Sequence, residues 1–196
     1  MSLALSLAFA DPVAAPVAAR VRDAAQKQLP ALVDAIDKGD LYPEDFLREL
    51  GARGAFAPHA GGDGAPDLMA AIDAMSEVAE VCGATAFMTW CQDTLAWYLA
   101  NTDNEALKQR YLADVTAARR LGGTGLSNPM KSFFGIEKLK LRGRRVDGGY
   151  VVKGALPWVS NLGPDHLFGT IFECDDGGKV MFVADCADPR VELLPC

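Results

Sequence analysis

The sequence predicts an α+β protein in which an N-terminal all-helical domain is followed by a partial antiparallel β-barrel domain. Apolar residues recur at three- and four-residue steps up to about residue 120, which is typical of amphipathic helices. Beyond that point, short alternating runs are separated by turns rich in Asp and Gly, which is typical of hairpins. Because helices precede strands, we expect one domain over residues 1–120 and another over residues 121–196.

The helical half divides into five stretches. The first, Val17–Ile36, contains Pro30, which should kink the helix or start a new one because proline lacks a backbone N–H. Asn104 is the predicted N-cap of the last helix, since its short side chain accepts backbone hydrogen bonds. The other four stretches are expected at Pro43–Gly51, Leu68–Cys82, Ala84–Leu99 and Asn104–Ala118. The predicted buried stripe of the third stretch is Leu68, Ile72, Met75, Ala79 and Cys82.

Two hairpins are predicted in the second half. In the first, Lys138–Arg142 alternates polar and apolar residues, and Tyr150–Gly154 returns after an Asp-Gly-Gly turn. In the second, Leu167–Cys174 and Lys179–Ala184 flank another turn, and Val191–Leu194 is expected to start a further strand. Five cations near the first hairpin are interpreted as a solvated strand face rather than a phosphate site. They are Lys138, Lys140, Arg142, Arg144 and Arg145.

Composition argues against several functional classes. A net charge of −7 and a pI of about 4.8 disfavour nucleic acid as a partner, because the surface repels phosphate backbones. No apolar run approaches the roughly 20 residues that span a bilayer, so no membrane partner is expected. The apolar start, Met1–Ala10, ends in Ala-x-Ala, but no basic residue precedes it, which disfavours a secretory signal.

The cysteine and histidine patterns argue against disulfide and metal frameworks. The five cysteines are an odd number, and no Cys-x-x-Cys pair occurs. Cys82 and Cys91 lie in apolar helical surroundings and are expected to be small buried hydrophobes. His59 and His166 lie far apart in the sequence without an evident third ligand, so no metal site is expected. We infer a reducing, cytoplasmic compartment.

Three motifs follow one another between residues 126 and 161. They are Leu126-Ser127-Asn128-Pro129, Asp147-Gly148-Gly149-Tyr150-Val151-Val152-Lys153-Gly154 and Trp158-Val159-Ser160-Asn161. This succession resembles the start of the middle β-domain of the acyl-CoA dehydrogenase family, which usually reads Leu-Thr-Glu-Pro, Asp-Gly-x-Tyr-Val-Leu-Asn-Gly and Trp-Ile-Thr-Asn. The stretch Phe46–Gly64 is also similar to the family's short helix and Gly-Gly-x-Gly loop. The resemblance implies an FAD-dependent oxidoreductase of fatty acid metabolism, acting on the CH–CH bond of an acyl-CoA thioester.

The resemblance assigns four residues to the cofactor. Ser127 matches the threonine whose backbone and hydroxyl meet the pyrimidine edge of the flavin, and Leu126 contributes its backbone beside it. Trp158 matches the tryptophan that packs on the flavin, and Ser160 matches the threonine that donates near N5. Donors suit these places because reduction puts negative charge on the pyrimidine edge and hydride on N5. From the residues alone, both serines could instead cap or close turns, and Trp158 could pack in a barrel core.

The stretch after the first motif departs from the family's pattern. Asn128 stands in place of glutamate, and Met130–Gly135 replaces a glycine-rich turn ending in Ser-Asp. Ser132 lies one position from the serine that meets a cofactor or CoA phosphate in the family, so we expect it to bind substrate. Lys131 is the alternative phosphate contact. The altered loop motivates a second hypothesis, a flavin-dependent monooxygenase of the same fold.

No catalytic residue is predicted in this chain. By the resemblance, the glutamate base belongs to a C-terminal helical bundle that the 196 residues do not include, and no pairing singles out a base among Glu77, Glu80 and Glu137. The implied partners are an acyl-CoA or similar thioester, an electron-transferring flavoprotein and further copies of the chain in a homo-oligomer. A third hypothesis is a non-catalytic, flavin-free homologue, since an open barrel leaves unpaired strand edges.

Overall fold

The computed structural model describes residues 15–61 and 64–194, so the stretch that carries the signal-peptide expectation lies outside the described residues. The helices are α1 (Val17–Gln28), α2 (Val33–Asp37), α3 (Glu44–Ala52), α4 (Ala57–Ala60), α5 (Leu68–Ala79), α6 (Gly83–Ala100), α7 (Glu105–Thr116) and α8 (Ser127–Phe133). The strands are β1 (Gly122–Thr124), β2 (Arg142–Val146), β3 (Gly149–Lys153), β4 (Leu167–Cys174) and β5 (Lys179–Asp185).

Pro30 interrupts a helix and Asn104 begins one, both where the sequence predicts. Pro30 lies in a single 3-10 turn, Leu29–Ala31, which separates α1 from α2. Asn104 caps α7, and its side-chain oxygen accepts a hydrogen bond from the backbone N–H of Leu107 at 3.0 Å. Helix α6 packs against α5, α7 and β1, and its buried residues include Cys91, Leu95 and Leu99.

The predicted buried face of α5 is wrong along the helix, since Ala79 is exposed and Met75 is only half-buried. Leu68 and Ile72 are exposed, at 48% and 50%, whereas the buried residues of the helix are Ala71, Ala74 and Val78. Helices α1 and α6 both pack against α5, and alanine side chains let the helix backbones approach closely. The periodicity pointed to the larger apolar side chains, but close helix packing selects the smaller ones.

One hydrophobic cluster fills the helical part, and a second joins it to the sheet. The first contains Phe46, Leu50, Phe56 and Cys82, among others, so Cys82 is buried as predicted. The second brings α6 and α7 against β4, and it consists of Leu95, Ala96, Leu99, Val115 and Leu167. Burying a leucine or valine contributes about 1.5–3 kcal/mol. Strand β4 is therefore anchored on the helices.

Strand β4 is the centre of a five-stranded mixed sheet. Strand β5 pairs with β4 in antiparallel register, from Leu167 opposite Asp185 to Glu173 opposite Lys179. Strands β1 and β2 pair with β4 in parallel, and β3 extends the sheet as the antiparallel partner of β2. The parallel β1–β4 pair needs a long connection, which α8 and the β2–β3 hairpin provide.

The α+β class is confirmed, and the expected antiparallel barrel is corrected to a mixed sheet with no closure seen among the described strands. Helices give way to strands between Thr116 and Gly122. The division into two domains at residue 120 stays a prediction. The second predicted hairpin is present as β4 and β5, whereas residues 191–194 form no strand.

The first predicted hairpin starts later than expected, because β2 begins at Arg142 and not at Lys138. The buried side chain of Asn128 accepts a hydrogen bond from the Lys140 N–H at 2.9 Å and donates to the Lys138 carbonyl at 3.0 Å. These backbone groups are thus satisfied without a neighbouring strand. The alternation itself was read correctly, since Leu139 is buried.

A buried glutamine joins the helices to the sheet. Gln92, on α6, donates through Nε2 to the carbonyl oxygen of Val115 at 2.8 Å and to that of Arg120 at 3.0 Å. Its Oε1 accepts a hydrogen bond from the N–H of Gly122, at 2.8 Å. One fully buried side chain therefore satisfies the end of α7, the connecting segment and the start of β1.

We expect Gln92→Met to lower the free energy of unfolding by about 3 kcal/mol, because each buried polar group left unsatisfied costs about 1–3 kcal/mol. Methionine keeps the length of the side chain but makes none of the three hydrogen bonds. Gln109→Met, at an exposed position on α7, is the matched control and should change stability by less than about 0.5 kcal/mol. Urea unfolding measures both variants, and equal stabilities would contradict the role of Gln92.

Candidate functional site

Two of the predicted cofactor residues follow directly on β1. The strand ends at Thr124, Leu126 lies two residues later, and Ser127 is the first residue of α8. The Thr124 carbonyl accepts a hydrogen bond from the N–H of Ser160 at 3.4 Å. The Thr124 hydroxyl lies 2.8 Å from the hydroxyl of Tyr98. The end of β1 thus brings the segment of Leu126 and Ser127 together with that of Ser160.

The segment of residues 158–161 packs tightly on β1. A Cβ atom on Gly123 would lie 2.2 Å from the carbonyl oxygen of Ser160 and 3.3 Å from the Cβ of Cys91, so this approach requires glycine. The Ser160 hydroxyl lowers the pKa of the Cys91 thiol, but burial has the larger effect and raises that pKa to about 12. The thiol therefore keeps its proton at neutral pH. Ser160 is held through its backbone, next to this neutral thiol.

The four predicted cofactor residues are all exposed or half-buried. Trp158 is 64% exposed, so the alternative that it packs in a barrel core is wrong. Ser127 is exposed, and Leu126 and Ser160 are half-buried. The Ser127 side chain and the Trp158 indole are thus accessible to solvent.

Residues 130–133 form the second half of helix α8, which corrects the expectation of a loop over Met130–Gly135. Asn128 and Pro129 are buried and anchor the helix, and Asn128 makes the hydrogen bonds to residues 138 and 140 described above. The large apolar side chains of this stretch point to solvent and are exposed: Met130, Phe133, Phe134 and Ile136. A helix with a bulky exposed face thus stands where the family has a small turn.

Ser132 lies at an open cleft of about 590 Å³, which the four cofactor candidates do not line. Cations and carboxylates meet there, and Arg142 forms an ion pair with Glu173. The Lys179 ammonium lies 5.3 Å from the centre of the Phe133 ring. The lining includes Ser132, Ile136, Lys138, Leu139, Arg142 and Lys179. Lys131 is exposed but is not among the lining residues, and the five cations of the first hairpin are exposed as predicted.

A carboxylate without a hydrogen-bond partner is buried on α6. Asp93 is 1% exposed, and neither of its oxygens has a partner among the described residues. His59 Nδ1 lies 3.7 Å from Asp93 Oδ1, and the imidazole packs on the Trp97 ring with centroids 4.9 Å apart. Burial raises the pKa of Asp93, and His59 opposes that rise.

Sequence reasoning missed several of the polar residues described above. Cys91 was expected only as a small buried hydrophobe; it is buried, and it also contacts Ser160. Tyr98, on α6, was not singled out, and its hydroxyl meets that of Thr124. Asp93 did leave a signal, since it is the one charged residue between Ala84 and Ala100. The partners of the others lie too far along the chain for a local pattern to indicate them.

Residues 15–61 and 64–194 contain no group of three or more His, Cys, Asp or Glu side chains that could hold a metal ion. In the same part of the chain, no helix combines the length and the apolar character needed to cross a membrane.

We expect Asp93→Asn to stabilise the protein at pH 7 by about 1 kcal/mol or more, because it removes a buried charge that lacks a hydrogen bond. The pKa of Asp93 is raised in the folded state. The wild-type protein is therefore most stable at a pH below the unfolded-state pKa of Asp93, and it loses stability as the pH rises through the folded-state pKa. The advantage of Asn should therefore shrink towards pH 4. Thermal melts across pH 4–8 test this, with exposed Asp73→Asn as the control; a pH-independent difference would contradict it.

The comparisons with known proteins agree with one another. The family model described as "Acyl-CoA dehydrogenase, N-terminal domain" matches residues 14–119, more than half of the chain. The "Acyl-CoA dehydrogenase, short-chain specific" of Clostridium acetobutylicum is 28% identical over 164 residues, which cover 81% of this chain and 42% of that protein. The present chain thus spans less than half the length of this relative.

Two solved structures share the fold. Butyryl-CoA dehydrogenase from Megasphaera elsdenii superposes with a TM-score of 0.77 at 21% identity, covering 96% of this chain and 51% of that one. The 3-HSA hydroxylase from Rhodococcus sp. RHA1 superposes with a TM-score of 0.65 at 22% identity, covering 91% of this chain and 44% of that one. With the fold, the ordered motifs and the match over residues 14–119 in agreement, the chain belongs to the acyl-CoA dehydrogenase family.

Proposed function

We propose that this chain forms the flavin-facing wall of an FAD-dependent acyl-CoA dehydrogenase-type oxidoreductase, which acts on the CH–CH bond of an acyl-CoA thioester. The observation that carries the proposal is the hydrogen bond from the Ser160 N–H to the Thr124 carbonyl, which brings the Ser160 segment to the end of β1 in a member of this family. Ser127 follows Thr124 by three residues, and the exposed Trp158 precedes Ser160 by two. Relatives named as short-chain acyl-CoA and butyryl-CoA dehydrogenases support the substrate class.

The residues present fit a flavin. Leu126 and Ser127 would meet the pyrimidine edge, Ser160 would donate near N5, and Trp158 would cover part of the ring and exclude water from it. When bound, FAD supplies the acceptor for the hydride that leaves the substrate. The tight contact of Ser160 with Gly123 supports this assignment, because it packs the segment that carries the donor against strand β1.

Substrate binding is proposed for Ser132, whose cleft is lined by Lys138 and Lys179 among other residues. Cations at such a cleft attract the phosphate groups of CoA. No residue of this chain is assigned as the base that removes the substrate α-proton. We further propose that electrons pass to an electron-transferring flavoprotein, that the protein is a homo-oligomer and that it works in the cytoplasm.

A flavin-dependent monooxygenase is the second candidate. It is favoured by one observation, the replacement of the family's small turn by α8 with its exposed apolar side chains. A larger and more apolar surface at this point suits a substrate without the CoA phosphates. The structural likeness to a 3-HSA hydroxylase supports this candidate at the level of the fold.

We expect the purified chain, mixed with FAD and then desalted, to retain a flavin absorbance in the visible range. Trp158→Ala should weaken FAD binding by roughly tenfold or more, because stacking on an aromatic ring contributes about 1–3 kcal/mol. Met69→Ala is the matched control, since Met69 on α5 is 66% exposed and lies outside the proposed site. A colourless protein that takes up no FAD would refute the flavin function and leave the flavin-free homologue.

Flavin reduction separates the two enzymatic candidates. Reduction of the bound flavin by an acyl-CoA without oxygen and without a reductase supports the dehydrogenase. A flavin that is reduced only by an added reductase, followed by oxygen-dependent hydroxylation, supports the monooxygenase. The assay is best made on the flavin-loaded protein together with any further polypeptide that supplies the base.

A further inference from the structure

Asn161 follows the proposed N5 donor directly and has an unusual backbone. Its φ angle is 61°, in the left-handed region that side chains rarely adopt and that asparagine tolerates better than most. Its Nδ2 donates a hydrogen bond to the carbonyl oxygen of Gly122 at 2.7 Å. The residue after Ser160 is therefore bound to the start of β1, while the Ser160 N–H meets Thr124 at its end.

Two residues from other parts of the chain hold Asn161. Tyr42, between α2 and α3, donates its hydroxyl proton to Asn161 Oδ1 at 2.7 Å, and burial raises the pKa of Tyr42, so the phenol keeps that proton. His166 Nδ1 lies 3.0 Å from the Asn161 carbonyl oxygen. Because a carbonyl oxygen only accepts, Nδ1 carries the proton.

The His166 ring is closely confined. It is 2% exposed, and its centroid lies 5.7 Å from that of the Tyr42 ring. A Cβ atom on Gly163 would lie 2.8 Å from His166 Nε2, so the turn after Asn161 wraps directly over the imidazole. Side chain, carbonyl and backbone conformation of Asn161 are thus all fixed by neighbours.

We propose that Asn161 is the positioning residue for Ser160, and that Tyr42 and His166 hold Asn161 in the conformation this requires. The left-handed turn directs the chain back over β1, and the amide bond to Gly122 sets its distance from the strand. The Ser160 hydroxyl is thereby held in a fixed position. Tyr42 influences this position through Asn161, without touching the flavin. The effect on the flavin depends on the proposed function, whereas the positioning of Ser160 does not.

Amide hydrogen exchange in the flavin-free chain tests the positioning. We expect the Ser160 N–H to exchange roughly tenfold faster or more in Asn161→Gly, which keeps the left-handed backbone but removes the amide. Asn161→Ala, which loses both, should exchange faster still, and Tyr42→Phe should show a smaller increase with little effect on folding. Tyr111→Phe, on α7 and outside this network, is the matched control. The proposal would be overturned if the Ser160 N–H exchanged at the wild-type rate in both Asn161→Gly and Tyr42→Phe.

The flavin midpoint potential tests the functional half. If Ser160 donates near N5, Ser160→Ala and Asn161→Gly should both make the potential of bound FAD more negative, because a donor there stabilises the reduced flavin. Unchanged potentials together with faster Ser160 exchange would overturn the functional half and retain the positioning. Failure of the wild-type chain to bind FAD would refute the proposed function, and the exchange rates would still decide the role of Asn161.

Discussion

Both backbone groups of Gly122 are bound by side-chain amides, and the helices, the sheet and the candidate site meet there. Its N–H donates to Gln92 on α6, and its carbonyl accepts from Asn161. A Cβ atom at this position would lie 2.0 Å from the carbonyl oxygen of Leu167 on β4. The strand can approach β4 only because residue 122 has no side chain. The positions of α6 and of the 158–161 segment are therefore both set relative to β1.

This arrangement makes the helices part of the candidate site. Cys91, next to Gln92 on α6, lies close to Gly123, as does the Ser160 carbonyl, and the Tyr98 hydroxyl on the same helix bonds to that of Thr124. A shift of α6 would therefore move the Ser160 donor and the end of β1 together. The accessible surface beside β1 is presented by a strand that a buried helix supports, which suits a cofactor whose edges need fixed donors.

The sequence predicts the class of fold well, because periodicity, Pro30 and Asn104 act locally. It predicts the site in part, since the ordered motifs name Ser127 and Ser160, whose segments the structure brings together at the end of β1. The remaining features depend on partners far along the chain. Tyr42 and Asn161 are 119 residues apart. The late start of β2 and the position of helix α8 also depend on such a partner. The buried Asn128 amide forms hydrogen bonds with the backbone ten to twelve residues later.

Tryptophan fluorescence of a chain with one tryptophan tests most directly whether the flavin lies on this wall. The protein has three tryptophans, so replacing Trp90 and Trp97 by phenylalanine leaves Trp158 as the only one. Trp158 is 64% exposed without FAD, so its emission should be that of a solvated indole. We expect added FAD to quench most of this emission as the ring covers the indole. Uptake of FAD, seen by its own absorbance, with unchanged Trp158 emission would show that the flavin binds elsewhere.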